Sequence, residues 1–132
     1  AKVSLLKRGK VFLGILETTG IVKKNEDGTF TVDAVKLKAE FDKIFANSDL
    51  ILSPVAPTTA PNFRSYSNAL EMYLADIYTI GVNLAGLPAI SLPVAKDKEG
   101  LPIGLQLIAN SYEEQTLFDG ALSMEKAVKY TK

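Results

Sequence analysis

Short apolar runs bounded by proline or by charged turns limit the folds open to this sequence. The short continuous apolar run Leu50-Ile51-Leu52 ends at Ser53-Pro54. Such a run is typical of a buried strand. Two further runs, Ala89-Ile-Ser-Leu-Pro-Val94 and Gly104-Leu-Gln-Leu-Ile-Ala109, flank a charged tip at residues 96–100. This arrangement predicts a hairpin or a close strand pair.

Segments with helical spacing of apolar residues lie between these strands. Asp33 is placed to cap a helix that runs to about Phe45. Asn68 and Glu71, three positions apart, can cap a second helix that ends near residues 79–81, before turn residues 83–88. The residues predicted to face the core are Ala34, Leu37, Phe41, Ile44 and Phe45 in the first helix, and Leu70, Tyr73, Leu74 and Ile77 in the second.

A third helix is predicted at the end of the sequence. Ser111 with Glu114 matches a capping box, and the helical spacing continues to about Tyr130. Since helices and strands alternate over residues 33–132, the fold class is predicted to be α/β. The residues of this helix predicted to face inward are Leu117, Phe118, Ala121, Leu122, Met124 and Val128.

The first part of the sequence follows a different pattern. Two short β-prone runs flank Asn25-Glu-Asp-Gly28, and the Asp-Gly pair predicts a β-hairpin. Residues 5–16 are apolar and basic without a clear period. We therefore predict two parts: residues 1–32, an unassigned segment with a hairpin, and residues 33–132, an α/β region.

The composition excludes several kinds of chemistry. The sequence has no Cys and no His, which removes thiolate nucleophiles, zinc-thiolate sites, Ser-His-Asp triads and imidazole-ligated metals. Fifteen basic and fifteen acidic residues cancel, so no global field attracts nucleic acid or an anionic membrane. No apolar run reaches the length of a membrane span. We expect a soluble cytoplasmic chain without a membrane partner.

Three blocks of this sequence resemble, in order and spacing, the end of the amidase signature family. They are Asp49-Leu-Ile-Leu-Ser-Pro-Val-Ala-Pro-Thr-Thr-Ala60, the stretch from residue 69 to residue 93, and Gly100-Leu-Pro-Ile-Gly-Leu-Gln-Leu-Ile-Ala109. The resemblance implies the C-terminal portion of an amidase-signature fold, a mixed sheet flanked by helices. Within the family, Met72-Tyr-Leu-Ala-Asp-Ile-Tyr-Thr79 is most similar to the A subunits of glutamyl-tRNA(Gln) amidotransferases.

That resemblance implies a function for the whole protein. Such subunits hydrolyse glutamine, and the ammonia converts Glu-tRNA(Gln), activated with ATP in a partner subunit, into Gln-tRNA(Gln). The implied partners are the B and C subunits, with tRNA contacted only through the complex. The family hydrolyses glutamine with two serines and a lysine, one serine lying in an upstream Gly/Ser-rich stretch that this sequence lacks. Ser53, Ser91 and Ser111 are therefore not assigned as nucleophiles, and we expect no catalytic residue or cofactor here.

Asp76 is the one site residue that the resemblance transfers to this sequence. It matches the family aspartate that binds the amino group of glutamine, and a carboxylate is a suitable partner for an ammonium group. The alternative is a solvated aspartate on a helix surface.

Two functions of different classes follow from the sequence. One is a fragment of the glutamine-hydrolysing subunit, inactive alone, and the other is a non-catalytic binding or assembly module built on an amidase fold. A self-contained Ser-Lys enzyme ranks below both. Because strands taken from a larger sheet leave open edges and apolar faces, self-association is also expected.

Overall fold

A four-stranded mixed sheet organises the computed structural model, which describes residues 3–5, 20–69, 72, 75–76 and 78–130. The sheet order is β1-β4-β6-β5, and β2 pairs with β3 in a separate hairpin. The α/β class is confirmed. In chain order the described elements are β1 (Val3–Leu5), β2 (Val22–Lys24), β3 (Phe30–Val32), α1 (Ala34–Phe45), β4 (Leu50–Pro54), α2 (Ile80–Leu84), β5 (Ala89–Lys96), β6 (Pro102–Ala109) and α3 (Glu114–Val128).

Strand β6 pairs with a neighbour on each side and fixes the register of the sheet. It runs antiparallel to β4, with Ile108 opposite Ile51 and Gln106 opposite Ser53, and antiparallel to β5 on its other edge. The β5–β6 pair confirms the predicted hairpin around the charged tip. Strand β1 pairs in parallel with β4, which makes the sheet mixed, as the resemblance implies. The sequence did not predict β1, because the apolar residues from residue 5 onward follow no clear period.

Apolar clusters cover both faces of the sheet. Successive side chains of a strand point to opposite faces, so Leu50 and Leu107 pack on the side of α3, whereas Ile51 and Ile108 pack on the side of α1 and α2. All four side chains are almost completely shielded from solvent. Burial on both faces explains the continuous apolar run that predicted β4.

The predicted hairpin of the first 32 residues is confirmed as β2–β3. The Gly28 N–H donates to the Asn25 carbonyl and the Asn25 N–H donates to the Thr29 carbonyl, which encloses a three-residue loop. Gly28 has a φ of 84°, a left-handed conformation that favours glycine. The hairpin joins the core through Ile21, which is buried in the same cluster as Leu37 of α1.

Helix α1 begins and ends as predicted. The Asp33 side chain accepts a hydrogen bond of 3.0 Å from the Lys36 N–H and thereby caps the helix. Leu37 and Phe41 are buried, and Ile44 and Phe45 pack against the same cluster. The prediction for Ala34 is wrong: it is exposed, because burial along this helix begins only with Leu37.

The second predicted helix differs from the structure at its end. Ala69, Met72 and Ala75 are helical, but the predicted stripe of Leu70, Tyr73, Leu74 and Ile77 lies outside the described residues. Where a turn was expected to follow residues 79–81, the short helix α2 forms instead. It forms because Val82 is buried and because the Asn83 side chain donates to the Thr79 carbonyl at 3.1 Å. Gly86, with a φ of 67°, then ends the helical segment.

The capping box predicted for α3 is wrong. The helix begins at Glu114, with Glu113 at the cap position and without a side-chain capping bond, so Ser111 lies two positions too early. Asn110 directs the chain into the helix instead: its side chain accepts from the Ser111 N–H at 2.9 Å, and its carbonyl accepts from the Glu113 N–H at 3.0 Å. The helix ends at Val128, before the left-handed Lys129, rather than at about Tyr130.

The inward face of α3 is narrower than the sequence predicts. Leu117 and Ala121 are buried, and Met124 packs partly against their cluster. Phe118 and Leu122, which were predicted to face inward, are 52% and 54% exposed. They lie one residue, about 100°, around the helix from the buried pair, and the sheet covers only one side of α3.

Two leucines of α3 provide a matched test of this orientation. We expect Leu117→Ala to lower the free energy of unfolding by about 2–5 kcal/mol, because it removes a side chain that is 3% exposed and leaves a cavity. Leu122→Ala should cost less than about 1 kcal/mol. Chemical denaturation of both variants measures the difference. Equal losses would contradict the orientation, and a Leu122→Ala loss that grows with protein concentration would indicate self-association through α3.

Candidate functional site

Asp76 lies exposed in a turn between the helical residue Ala75 and helix α2. Its carbonyl accepts hydrogen bonds of 3.1 Å from the N–H groups of both Thr79 and Ile80. The Thr79 hydroxyl also donates to this carbonyl, at 3.2 Å. The backbone of Asp76 therefore closes the turn, while its carboxylate is open to a ligand.

An open cleft of about 370 Å³ lies next to this turn. Ala75, the residue immediately before Asp76, forms part of its wall. The other parts of the wall come from the proline-rich loop after β4 and from the first residues of β6. The lining is mostly apolar with threonine hydroxyls, and consists of residues 55–61, Tyr66, Ala75, Pro102, Ile103 and Gly104.

A buried amide connects the sheet to the Asp76 turn. Gln106 of β6 is 3% exposed, and its Nε2 donates to the Tyr78 carbonyl at 2.6 Å and to the Ser53 hydroxyl at 2.9 Å. The Ser53 hydroxyl in turn donates to the Pro54 carbonyl at 3.0 Å. Buried polar groups are stable only when they are hydrogen-bonded in this way.

The sequence reasoning missed Gln106, although a signal was present. A glutamine between two leucines, in a strand whose neighbours are apolar, is unusual where both faces are covered. Such a residue implies buried partners. The sequence does not identify them, because Ser53 and Tyr78 are 53 and 28 positions away.

A second polar contact links two walls of the cleft. Asp97, in the tip between β5 and β6, accepts hydrogen bonds from the backbone N–H groups of Leu101 at 2.8 Å and Glu99 at 3.0 Å. The Thr59 side chain of the proline-rich loop lies close to this carboxylate, and its proximity contributes most to lowering the pKa of Asp97 below its ordinary value of 3.8. The Asp97 carboxylate therefore ties the proline-rich loop to the tip that precedes β6.

The exposed Asp76 carboxylate can bind a cation, whereas Ser53 does not line the cleft and is not placed for nucleophilic chemistry there. The Ser53 hydroxyl is buried and already donates its proton, whereas the exposed Asp76 carboxylate can pair with an ammonium group. In the described residues, no three acidic side chains are grouped closely enough to hold a metal ion. Helices long and apolar enough to cross a bilayer are also absent from the described part of the chain.

The tie between Thr59 and Asp97 predicts a pH response. Since the hydrogen bonds favour the carboxylate, their contribution to stability is present above pH 3.8 and is lost as the pH falls through the lowered pKa of Asp97. We expect Thr59→Val to raise the pKa of Asp97 toward 3.8, measured by NMR titration of its carboxyl carbon. Thr58→Val, a neighbouring change in the same loop, is the control. An unchanged titration in Thr59→Val would contradict the contact.

Comparison with known proteins identifies the family of this chain. The sequence profile of the amidase family matches residues 13–118. The A subunit of glutamyl-tRNA(Gln) amidotransferase from Aliarcobacter butzleri is 74% identical over 96 residues, which are 73% of this chain and 21% of that protein. The corresponding protein of Sulfurimonas denitrificans is 67% identical over 94 residues, or 71% of this chain and 21% of that protein.

A solved structure agrees with these sequence matches. The crystal structure of the glutamyl-tRNA(Gln) amidotransferase A subunit from Thermotoga maritima superposes with a TM-score of 0.71 at 36% identity. The superposition covers 75% of this chain and 22% of that one. The chain thus spans about a fifth of the length of the relatives that it matches. The matched profile covers most of the described fold, including the Asp76 turn and the Gln106 strand, and the chain belongs to the amidase family.

Proposed function

We propose that this chain is the C-terminal part of a glutamine-hydrolysing amidotransferase A subunit, which supplies ammonia for the formation of Gln-tRNA(Gln). The observation that carries the proposal is the 74% identity to the A subunit of a glutamyl-tRNA(Gln) amidotransferase over nearly three quarters of the chain. The exposed Asp76 carboxylate, which directly follows the cleft-lining residue Ala75, also supports the proposal.

In this proposal Asp76 binds the α-ammonium group of glutamine. Its carboxylate is exposed, and its backbone is held in a turn by three hydrogen bonds to its carbonyl, so the side chain is presented from a fixed position. The contact would be a charge-assisted hydrogen bond, which is stronger than one between neutral groups. Asp76 therefore contributes to substrate binding and selectivity, while the reacting amide of glutamine lies at the other end of the substrate.

The bond-breaking residues lie, in this proposal, in the remaining part of the enzyme's A subunit. The described residues then contribute one wall of the glutamine site and hold no cofactor. The B and C subunits complete the complex, ATP is used in the partner subunit, tRNA is contacted through the complex, and the protein works in the cytoplasm. The alternative is a non-catalytic binding or assembly module. In that case, supplying the rest of the subunit would not restore glutamine hydrolysis.

Replacement of the Asp76 carboxylate tests its proposed role. In the whole subunit with its partners, we expect Asp76→Asn to raise the KM for glutamine about 10–100-fold, since a hydrogen bond to a charged group contributes about 1.5–3 kcal/mol. The turnover number should change less, because the ammonium group is remote from the reacting amide. Steady-state ammonia release measures both constants.

The control is Asp119→Asn, which makes the same change at an exposed position of α3. It should leave both constants within about twofold of the wild type, since surface substitutions away from a site have small effects. An Asp76→Asn variant that behaves like this control would contradict the proposed role of Asp76.

Activity of the chain alone separates the proposed function from its alternatives. We expect residues 1–132 to release no ammonia from glutamine above background. Adding the remaining part of the subunit in trans should restore hydrolysis, because the two parts would complete one sheet and one site. Ammonia release by the chain alone, abolished by a single serine substitution, would overturn the proposal. A failure to restore activity with a folded, bound partner would favour the assembly module.

A further inference from the structure

We infer that Gln106 is a positioning residue for glutamine binding, because it ties the turn that presents Asp76 to β6, an inner strand of the sheet. The inference rests on the proposed function of Asp76. Gln106 lies 30 positions from Asp76 in the sequence and is not itself open to a substrate, with 3% of its surface exposed. Its effect on binding is therefore exerted through the turn.

The hydrogen-bond pattern fixes which way the Gln106 amide points. The Ser53 hydroxyl donates its only proton to the Pro54 carbonyl and can therefore only accept from Gln106. The Tyr78 carbonyl is also an acceptor. The two protons of Nε2 thus go to Ser53 and Tyr78, with the Pro54 carbonyl a more distant third neighbour at 3.3 Å. An oxygen in place of this nitrogen would face these acceptors without a proton to donate.

The hydrogen bond from Gln106 holds the turn at Tyr78, which lies within the segment closed by the Asp76 carbonyl. The Asp76 carbonyl accepts from the N–H groups of Thr79 and Ile80, so Tyr78 lies inside the hydrogen-bonded loop of that turn. At 2.6 Å, the bond from Gln106 is the shortest that holds this loop to the sheet among the described contacts. The bond from Asn83 to the Thr79 carbonyl ties the loop only to α2, which is its immediate neighbour.

The sheet supplies a rigid reference for this tie. Gln106 is opposite Ser53 on β4 and opposite Ser91 on β5, so its backbone is paired on both sides. A side chain that is fixed at its base and hydrogen-bonded at its tip transmits the position of the sheet to the turn. Small displacements of a positioning group cost large factors in binding and rate, and loss of this tie would let the Asp76 carboxylate move away from the substrate ammonium.

The test compares glutamine with glutaramate, which is glutamine without its α-amino group, in the whole subunit with its partners. We expect Gln106→Met, which keeps the length of the side chain but removes both donors, to lower the preference for glutamine over glutaramate about tenfold. The loss should appear as a higher KM for glutamine with little change in its turnover number. Asp76→Asn should lower the same preference, and the double variant should lose no more than Asp76→Asn alone, since both changes act on one contact.

Two features keep this test decisive. The ratio of kcat/KM for the two amides does not depend on the fraction of folded enzyme, so partial destabilisation of Gln106→Met leaves it interpretable. If Gln106→Met does not fold, Gln106→Leu, a smaller apolar side chain that also lacks both donors, provides the same ratio. Gln115→Met, the same change at an exposed position of α3, is the control and should keep the wild-type preference.

The possible outcomes distinguish the positioning role of Gln106 from the proposed role of Asp76. A lower preference in Gln106→Met and in Asp76→Asn, without additivity, supports the inference. If Gln106→Met lowers kcat/KM equally for both amides, or leaves the preference unchanged while Asp76→Asn lowers it, the positioning role is wrong and the role of Asp76 stands. If Asp76→Asn itself leaves the preference unchanged, the proposed role of Asp76 fails and the inference fails with it.

Discussion

The antiparallel pairing of β4 with β6 is the constraint on which the rest of this structure depends. It joins segments more than 50 positions apart, and it places Ile51 opposite Ile108 beneath α1 and α2. The alternate residues of the same two strands, Leu50 and Leu107, form the core beneath α3. Because side chains alternate between faces, one register determines both cores at once, and a shift by a single residue would exchange them.

The same register brings together the polar groups of the candidate site. Ser53 and Gln106 are directly opposite each other on the face that carries α2, and the Gln106 amide extends from this pair to the Tyr78 carbonyl. The sheet thus positions the turn closed by Asp76, and the loop that follows β4 forms a wall of the neighbouring cleft. Core packing and site geometry are consequences of one strand pairing rather than separate features.

The chain exposes sheet edges and apolar side chains, and it spans only about a fifth of the length of the relatives that it matches. The chain corresponds to about a fifth of its relatives, and strands β1 and β5 form the edges of its four-stranded sheet. Phe118 and Leu122 of α3 remain exposed although their spacing is that of a core-facing stripe. A helical stripe in the sequence indicates burial against some surface, but the sheet described here covers only the side of α3 that carries Leu117 and Ala121.

The sequence by itself determined the elements whose signals are local. Asp33 predicted the start of α1, Asp27-Gly28 predicted the hairpin, and the apolar run of residues 50–52 predicted a strand, because capping, turn conformation and apolar burial depend on a few adjacent residues. The resemblance of three blocks identified the family and transferred the Asp76 assignment. A local signal failed at the start of α3, where the expected Ser111 cap does not form and the Ser111 N–H instead donates to the Asn110 side chain. Only the tertiary structure decided the register of β4 on β6, the exposed side of α3 and the tie from Gln106 to Tyr78. Each of these joins groups far apart in sequence, whose meeting depends on which surfaces the whole chain buries together.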